Sequence, residues 1–513
     1  MKKEIVSIIN GVGMIALSTG VSSAQETSYQ ATNESLVNYQ VPEWYQDAKF
    51  GIWAHWGVYS VPAFGGTHAA EWYPRHMYDQ TNANGHYEHH QKTYGDNTEF
   101  GYKDFIPMFK AEKFDANQWM DLAENAGAKF YTVVSMHHDG FAMYDSEHTK
   151  WNAAKMGPKR DLTKELIDAA RARGLRTGIS NHFAFNNAYY DHMFKFGGDW
   201  AEEYEDLYGR GSEKMDEWGL NRWWNVTTEL VDKYSPDLYY FDWGWNNIAI
   251  RDHFVGQPQR FAAYYYNHAV KNGQGSYGAP GVVMNFKGKV LPVDAAVQDY
   301  ERGGKTEVSP NVWQCDTSIS KHSWSYSVHD DYWPSDELVD SLIDVVSKNG
   351  VMMLNFGPKA DGTIPAEYSD RLLDIGSWLK QNGESIYATR PFDVFGEGPT
   401  VRTAENRQEI HRNGYNYGSK DIRFTRSKDN KDLFAIALGW PEDGKLTVTT
   451  LGKGKFDLSG LKTINLVGSD SQLSWSQDEQ GLHITCPEKG EGKFAYPFKL
   501  SFGAEIPKLQ AAK

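Results

Sequence analysis

The sequence predicts a (β/α)8-like TIM barrel followed by a C-terminal antiparallel β-sandwich. Between about residue 45 and residue 385, short apolar segments of strand length alternate with amphipathic segments of helix length. Apolar strands that are each followed by a helix are typical of a parallel sheet that is buried on both faces. After residue 390 the pattern changes to alternating apolar and polar residues separated by Gly, Asp, Asn and Ser, which indicates antiparallel strands.

The barrel segment contains six or seven strand and helix units. One helix is predicted to begin after Asp115 and to end at Gly127, and residues 128–136 (AKFYTVVSM) then predict a strand. The next helix, within residues 161–174, is followed by a strand at 175–181 (LRTGISN), and the strands DLYYFD, GVVMNF and VMMLNFG continue the series. This number of units over about 340 residues favours a barrel. A doubly wound open sheet is the alternative, although no Gly-rich phosphate turn follows the first strand.

Composition excludes some classes of partner. The 513-residue chain has a formal net charge of −15 at pH 7 and no dense run of Lys or Arg, so we expect no nucleic-acid partner. Aromatic residues make up 14% of the chain, with 18 Trp and 30 Tyr. This proportion suits either a Trp-rich core or a surface that stacks on sugar rings. The sequence does not determine the oligomeric state.

The N-terminal segment resembles a secretory signal, with a basic start (MKK), a short apolar centre and small residues (SSA) before a cleavage site at Ala24. This predicts a secreted or periplasmic protein. No later segment reaches the roughly 20 consecutive apolar residues that a membrane span needs. Cys315 and Cys486 fall in different predicted domains, so we expect two free thiols. The predicted organisation is a signal peptide at residues 1–24, a catalytic barrel at 25–390 and a β-sandwich at 391–513.

Polar residues stand at the ends of several predicted strands. Asp242 ends the apolar run in SPDLYYFDWGW, where Tyr239, Tyr240, Trp243 and Trp245 are expected to form an aromatic slot around it. Because a TIM barrel places its chemistry at the carboxyl ends of its strands, these positions are candidates for one site. The other strand ends contribute His55, His137, His138, Asp139, Asn181, His182 and Glu301.

Three kinds of chemistry could be performed by such residues: metal-ion chemistry, serine hydrolysis and catalysis by paired carboxylates. His137, His138 and Asp139 are metal-ligand types, but neighbours on a strand point to opposite faces and no HxH or HExxH spacing occurs. We therefore expect no metal and no cofactor. The sequence contains no GxSxG motif, so it gives no support for a serine hydrolase. Paired carboxylates fit better, because a retaining glycosidase places a nucleophile and an acid/base about 5–5.5 Å apart.

Five ordered segments resemble glycoside hydrolase family 29, the α-L-fucosidases. They are KFGIWAHWGVYSVPAF, EWYPRHM, AKFYTVVSMHHDGFAMYDS, PDLYYFDWGW and DVVSKNGVMMLNFGPKADGTIP, and the resemblance extends from about residue 42 into the C-terminal domain. It implies a retaining exo-hydrolase without a metal, on a barrel followed by a β-sandwich. Asp242 matches the nucleophile of the family. The residues that match sugar-binding positions are His55, Glu71, Trp72, His137, His138 and Tyr240.

Two positions depart from the family pattern. Where many members have a Tyr, this chain reads GISNHFAF, so Asn181 or His182 replaces it, and where many have an Arg, Lys287 is the substitute. The acid/base position varies in the family. Glu301 in DYERGG is at the expected spacing, and Asp299 is the alternative, because strand alternation would place both carboxyl groups on one side.

The expected function is hydrolysis of terminal α-L-fucosyl residues from fucosylated oligosaccharides or polysaccharides. An α-L-galactosidase that acts on L-galactosylated glycans is the first alternative, because L-galactose differs from L-fucose by one hydroxyl and an apolar pocket rejects that hydroxyl only by about 10²-fold. A carbohydrate-binding protein without catalysis is the second. A pair of carboxyl groups argues against it, since a lectin does not need them.

Overall fold

A computed structural model of the protein describes residues 28–65, 69–81, 84–400, 414–488 and 492–510. Residues 1–24, for which a signal peptide is predicted, lie outside the described residues. Within the described ranges, every helix is too short or too polar to cross a membrane.

Eight parallel strands form one sheet in the order β6-β5-β4-β3-β2-β1-β8-β7. A single bridge between Asp299 and Gln314 connects the β6 end of this sheet to β7, so the sheet is a nearly closed barrel. The predicted (β/α)8-like fold is therefore confirmed. The strands are β1 Phe50–Ala54, β2 Phe130–Met136, β3 Arg176–Asn181, β4 Leu238–Phe241, β5 Val283–Phe286, β6 Val297–Gln298, β7 Trp313–Ser318 and β8 Gly350–Phe356.

Six long helices surround the strands, and two of them begin and end where the sequence predicts. Asp115 and Asp161 cap the first two helices by accepting hydrogen bonds from main-chain N–H groups of the first turn. Gly127 and Gly174 follow these helices with φ of +85° and +72°, a conformation that glycine adopts without strain. The helices are α1 Ala116–Asn125, α2 Leu162–Ala172, α3 Glu217–Tyr234, α4 Gln257–Lys271, α5 Ser335–Ser347 and α6 Ala366–Asn382.

The connections between strands are uneven. Residues 287–312 contain β6 and no helix, so β5, β6 and β7 follow one another directly. By contrast, long segments follow β1 and β3, and they contribute walls to the site described below. The short helices are Asn33–Leu36, Glu43–Ala48, Tyr73–His76, His86–Thr93, Asn186–Tyr189, Asp191–Phe196 and Glu205–Tyr208.

The C-terminal region is the predicted β-sandwich, with one sheet in the order β13-β16-β11-β10-β9 and a second in the order β12-β15-β14. Apolar side chains from both sheets share one core. Cys315 and Cys486 do not form a disulfide, as expected. The strands are β9 Arg390–Glu397, β10 Ile422–Arg426, β11 Asp432–Ala437, β12 Lys445–Val448, β13 Leu461–Leu466, β14 Trp475–Gln477, β15 Leu482–Thr485 and β16 Tyr496–Phe502.

A buried ion cluster joins the sandwich to the barrel. Asp344 on α5 accepts hydrogen bonds from Arg423 Nε on β10 and from Lys348 Nζ, each at 2.7 Å. Burial alone would raise the pKa of Asp344, but these two cations lower it to about 2. All three side chains are almost fully buried. The two cations compensate the buried carboxylate, and the cluster fixes β10 against α5.

Candidate active site

A cavity opens at the carboxyl ends of the barrel strands. The residues matched to the family's catalytic and sugar-binding positions, and Lys287, line this cavity, whereas Asn181 does not. The strand-end candidate Asp139 is also outside the lining, where it is buried and accepts a hydrogen bond from Tyr102 OH at 2.6 Å. Trp53, Trp243, Asp316 and Trp324 complete the lining. The walls therefore combine carboxylates, imidazoles, one ammonium and flat aromatic rings, which are the groups that contact the polar edges and apolar faces of a sugar.

Asp242 lies directly after β4 and is only 8% exposed. Its Oδ1 accepts a hydrogen bond from Lys287 Nζ at 2.9 Å, and its Oδ2 is 3.2 Å from His138 Nε2 and 3.6 Å from His182 Nδ1. Burial alone would raise the pKa of Asp242, but these neighbours hold it well below its ordinary value. The group is therefore an ionised carboxylate at neutral pH, as a nucleophile requires.

The aromatic slot around Asp242 contains only two of the four predicted rings. Tyr240 and Trp243 line the cavity. Tyr239 and Trp245 do not, because both pack against Phe241 on the outer face of the sheet. The alternation of side chains along β4 explains the difference, since position 240 faces the barrel interior and positions 239 and 241 face the helices.

Lys287, directly after β5, connects the charged groups of the cavity. Its Nζ lies 2.9 Å from Asp242 Oδ1, 2.8 Å from Glu301 Oε2 and 3.2 Å from Asp316 Oδ2. Because one nitrogen contacts both Asp242 and Glu301, the two carboxylate oxygens that it contacts are no more than about 6 Å apart. The burial of Lys287 opposes its charge, but these three carboxylates raise the pKa of the ammonium well above its ordinary value.

Glu301 and Asp299 occupy different environments. The side chain of Glu301 is 39% exposed and reaches the cavity, whereas Asp299 is buried and accepts a hydrogen bond from Gln314 Nε2 at 2.8 Å. The expected alternation does not hold here, because β6 ends at Gln298, before either carboxyl group. Burial, together with the charge of Asp316, raises the pKa of Asp299 well above its ordinary value. Of the two, Glu301 is the one that a substrate can reach.

Four imidazoles line the cavity beside Asp242. His55 shares a hydrogen bond of 2.8 Å between its Nδ1 and Asn355 Oδ1, and His138 Nδ1 contacts the carbonyl oxygen of His182 at 2.6 Å. Burial lowers the pKa of His55, His137 and His182. These three rings are therefore neutral at pH 7, with one N–H donor and one nitrogen acceptor each. His55 donates its Nδ1–H to Asn355, so its Nε2 is left as an acceptor for a sugar hydroxyl.

The two adjacent histidines do not diverge as the sequence pattern suggested. His137 and His138 both line the cavity, with ring centroids 4.7 Å apart, because β2 ends at Met136 and strand alternation stops there. Ligand atoms of His55, His137 and His182 lie within 4.8 Å of one another, so this cluster could geometrically hold an ion. The expectation that the protein uses no metal stays a prediction.

Glu71 and Trp72 reach the cavity from the long segment between β1 and α1. Glu71 Oε2 accepts hydrogen bonds from Ser323 Oγ at 2.9 Å and from the main-chain N–H of Trp324 at 3.1 Å. Glu71 Oε1 has no partner among the described residues. Trp72 and Trp243 lie nearly parallel, with centroids 6.1 Å apart and an interplanar angle of 5°. Glu71 is thus fixed in place with one acceptor atom to spare, beside a pair of flat rings.

Asn181 does not belong to the site. Its Nδ2 donates to Thr227 Oγ1 at 3.1 Å and to Tyr239 OH at 3.0 Å, on the outer side of the sheet. His182, one residue later, lies beyond the end of β3 and turns into the cavity, where its Nε2 contacts Ser180 Oγ at 2.7 Å. The sequence left these two residues as alternatives, and the structure places only His182 among the lining residues.

Sequence reasoning missed Asp316, Trp53 and Trp324. Asp316 is fully buried within β7, in the segment WQCDTS. A carboxylate at the same phase as Gln314 in this segment was the available signal, because both positions then face the barrel interior. Trp324 carries no comparable signal, since it belongs to an irregular loop after β7.

Comparison with known proteins agrees with this arrangement. The family model described as alpha-L-fucosidase matches residues 16–384, and the model described as alpha-L-fucosidase C-terminal domain matches residues 416–501. Plasma alpha-L-fucosidase of Homo sapiens is 32% identical over 473 residues, covering 90% of this chain and 89% of the human protein. Tissue alpha-L-fucosidase of Rattus norvegicus is 30% identical over 500 residues, covering 94% and 93%.

Solved structures give the same result. The alpha-fucosidase of Thermotoga maritima in complex with a mechanism-based inhibitor superposes with a TM-score of 0.73 at 29% identity, over 92% of this chain and 100% of that one. The same enzyme in complex with fucose superposes with a TM-score of 0.72. The fold and the cavity define a glycoside hydrolase. The chain belongs to the α-L-fucosidase family.

Proposed function

We propose that the protein is a retaining exo-α-L-fucosidase that releases terminal α-L-fucosyl residues from fucosylated glycans by double displacement. The observation that carries this proposal is the single ammonium of Lys287, which contacts a buried carboxylate, Asp242, and a partly exposed carboxyl group, Glu301. A separation of no more than about 6 Å between their oxygens suits a retaining mechanism, because an inverting enzyme needs about 6.5–9.5 Å to admit a water molecule.

In the first step, a carboxylate oxygen of Asp242 attacks C1 of the fucosyl residue. The bond between C1 and the glycosidic oxygen breaks, and Glu301 transfers its proton to that oxygen. The products are the released alcohol and a fucosyl ester of Asp242. The neighbours that keep Asp242 ionised are therefore essential, since a protonated carboxyl group cannot attack.

In the second step, Glu301 acts as a general base. It takes a proton from a water molecule while the water oxygen attacks C1, and the bond between C1 and Asp242 breaks. This step restores the Asp242 carboxylate and the protonated Glu301. Two inversions at C1 leave the product with the α configuration of the substrate.

The remaining walls hold the sugar. The neutral imidazoles of His55, His137 and His182 bond ring hydroxyls through the nitrogens that the described residues leave unpaired, His55 as an acceptor, and Glu71 Oε1 is a further acceptor. The parallel rings of Trp72 and Trp243 offer apolar faces.

Product stereochemistry tests this proposal. We expect wild-type protein to hydrolyse an aryl α-L-fucoside and proton NMR to detect α-L-fucose before mutarotation. First appearance of the β anomer would contradict retention. A higher kcat/KM for the matched aryl α-L-galactoside would assign the protein to α-L-galactosides instead, and intact fucosylated glycans after prolonged incubation would indicate binding without catalysis.

We also propose that residues 1–24 direct secretion and are removed. The support is the order of a basic start, an apolar centre and small residues in this segment. N-terminal sequencing of protein from the culture medium or periplasm should begin at Gln25. Protein in those compartments that retains Met1 would contradict cleavage.

A further inference from the structure

Two buried carboxyl groups, Asp316 and Asp299, lie behind Lys287. Their exposed fractions are 0% and 3%. Asp316 Oδ2 accepts a hydrogen bond from Tyr240 OH at 2.9 Å and lies 3.2 Å from Lys287 Nζ. Asp299 Oδ1 accepts a hydrogen bond from Gln314 Nε2 at 2.8 Å. Tyr240 and Lys287 therefore contact Asp316, and Gln314 contacts Asp299, so each carboxyl group has one oxygen that is already paired.

The other oxygen of each carboxyl group has no partner elsewhere in the described part of the chain, and we infer that these two oxygens share a proton. Asp299 Oδ2 and Asp316 Oδ1 are both buried, and neither has a donor among the described residues. The charge of Asp316 contributes to the raised pKa of Asp299, so the two groups are close neighbours. Two adjacent buried carboxylates repel each other, and one proton between them would supply the donor that both oxygens lack. Because Asp316 is the one in contact with the Lys287 ammonium, we place this proton on Asp299.

This charge has a consequence for Lys287. The Lys287 ammonium donates hydrogen bonds to Asp242 and Glu301, and it forms an ion pair with Asp316 Oδ2 at 3.2 Å. Asp242 loses its charge when the ester forms, and Glu301 gains and loses a proton in each cycle. The mechanism proposed above assigns neither role to Asp316, whose side chain is fully buried. Among the three carboxyl groups that Lys287 contacts, it is the one that takes no part in the proposed bond and proton transfers.

We propose that Asp316, with the proton that it shares with Asp299, is a positioning residue that holds the Lys287 ammonium between the nucleophile and the acid/base in every step of the cycle. Asp299 acts through Asp316: its proton satisfies the inner oxygen of Asp316 and leaves the outer oxygen for Lys287. This inference rests on the proposed function and adds a third carboxyl group to the pair that performs it.

Two variants of equal shape isolate the charge. In Asp299→Asn, the new amide can accept from Gln314 Nε2 with its oxygen and donate to Asp316 Oδ1 with its nitrogen, as the protonated acid does. The double variant Asp299→Asn/Asp316→Asn has the same outline but no carboxylate. Asp316→Asn alone is less informative, because Asp299 could then take over the charge.

Kinetics on an aryl α-L-fucoside should separate the two variants. We expect Asp299→Asn to keep kcat within about threefold of wild type, while the double variant loses about 10- to 100-fold in kcat with KM changed less than about threefold. In a Lys287→Met background, adding the double substitution should cost less than about threefold, because the group that Asp316 positions is already gone. A merely structural role would instead lower kcat equally in both backgrounds.

Three results would overturn the inference. Asp299→Asn could lose as much activity as the double variant, which would refute the assigned proton. The double variant could keep the kcat of Asp299→Asn, or its effect could be fully additive with Lys287→Met, and either result would refute positioning. Wild-type protein without α-L-fucosidase activity would refute the proposed function instead, and the same ratios would then be measured on the aryl α-L-galactoside.

Discussion

Two buried ion clusters of this protein differ in how charge is balanced. At the junction of the domains, one carboxylate, Asp344, contacts two cations, Arg423 and Lys348. At the barrel mouth the ratio is reversed, because one cation, Lys287, serves three carboxyl groups. A cluster in which each carboxylate has its own cation stabilises a fold, whereas a cluster that shares one cation leaves carboxylates available for chemistry.

The difference also extends to the surroundings. Asp344 directs its contacts to two buried cations, Arg423 and Lys348. Asp242 and Glu301 face a cavity whose walls retain polar atoms with unused capacity, such as Glu71 Oε1. Substitutions in the Lys287 cluster should therefore change kcat, whereas substitutions in the Asp344 cluster should change the free energy of unfolding.

The largest effect is expected for Asp242→Ala. Removal of the nucleophile should lower kcat on an aryl α-L-fucoside by at least about 10⁴-fold. Added azide should restore turnover by entering the vacated space and yield the β-fucosyl azide, which NMR of the product can identify. A variant with wild-type activity would refute the nucleophile assignment.

Glu301→Ala should have an effect that depends on the leaving group. Hydrolysis of a natural fucoside needs a proton on the departing oxygen, so kcat/KM should fall by about 10²- to 10⁴-fold. A substrate with a strongly acidic aryl alcohol needs no such help in the first step and should still react to form the ester. Rates compared across a series of aryl leaving groups measure this difference, and an equal loss across the series would exclude acid catalysis by Glu301.

Lys287→Met should lower kcat/KM by about 10- to 100-fold and alter the pH profile. The ammonium helps to hold the pKa of Asp242 low, and burial alone would raise it. The acid limb of the kcat/KM profile should therefore move to higher pH. Lys289→Met, an exposed lysine two residues later, is the matched control and should leave the profile unchanged. An unshifted acid limb in Lys287→Met would contradict this electrostatic role.

Asp344→Ala should destabilise the fold without a direct effect on catalysis. It leaves Arg423 and Lys348 buried without their shared carboxylate, which costs about 3–5 kcal/mol in comparable pairs. Urea titration should show a lower free energy of unfolding, while kcat of the folded protein stays within about twofold of wild type. A large loss in kcat at full occupancy of the folded state would show that the clusters are coupled.

The same cluster predicts a pH dependence of stability. The pKa of Asp344 is about 2 in the folded protein, below its ordinary value of 3.8. A lowered folded pKa gives stabilisation that is complete above the unfolded value and is lost as pH falls towards 2. Wild type should lose about 2 kcal/mol more than Asp344→Ala between pH 5 and pH 2, as measured by urea titration. Parallel losses in both proteins would contradict the assignment.

The smallest effect is expected for removal of metal ions. His55, His137 and His182 could geometrically hold an ion, but the proposed mechanism uses none. Dialysis against EDTA should leave kcat and KM unchanged within error. Loss of activity that is restored by one added divalent cation would show that the imidazole cluster is a functional metal site.

The sequence predicted the elements that depend on neighbouring residues along the chain. Helix ends at Asp115 and Gly127 follow from capping and glycine conformation, which act within a few residues. The strand that ends just before Asp242 was visible because an apolar run stops there at a carboxylate. Alternation failed wherever a strand ended early, as it does before His137 and before Asp299.

By itself, the sequence determined the barrel, the sandwich and most residues of the cavity, because apolar periodicity and motif order are properties of local segments. Only the tertiary structure decided that His182 rather than Asn181 enters the cavity, and that Asp316 contacts Lys287. These contacts join residues that are distant along the chain. Their geometry depends on where each strand ends and on how the barrel closes, and neither is encoded in any single segment.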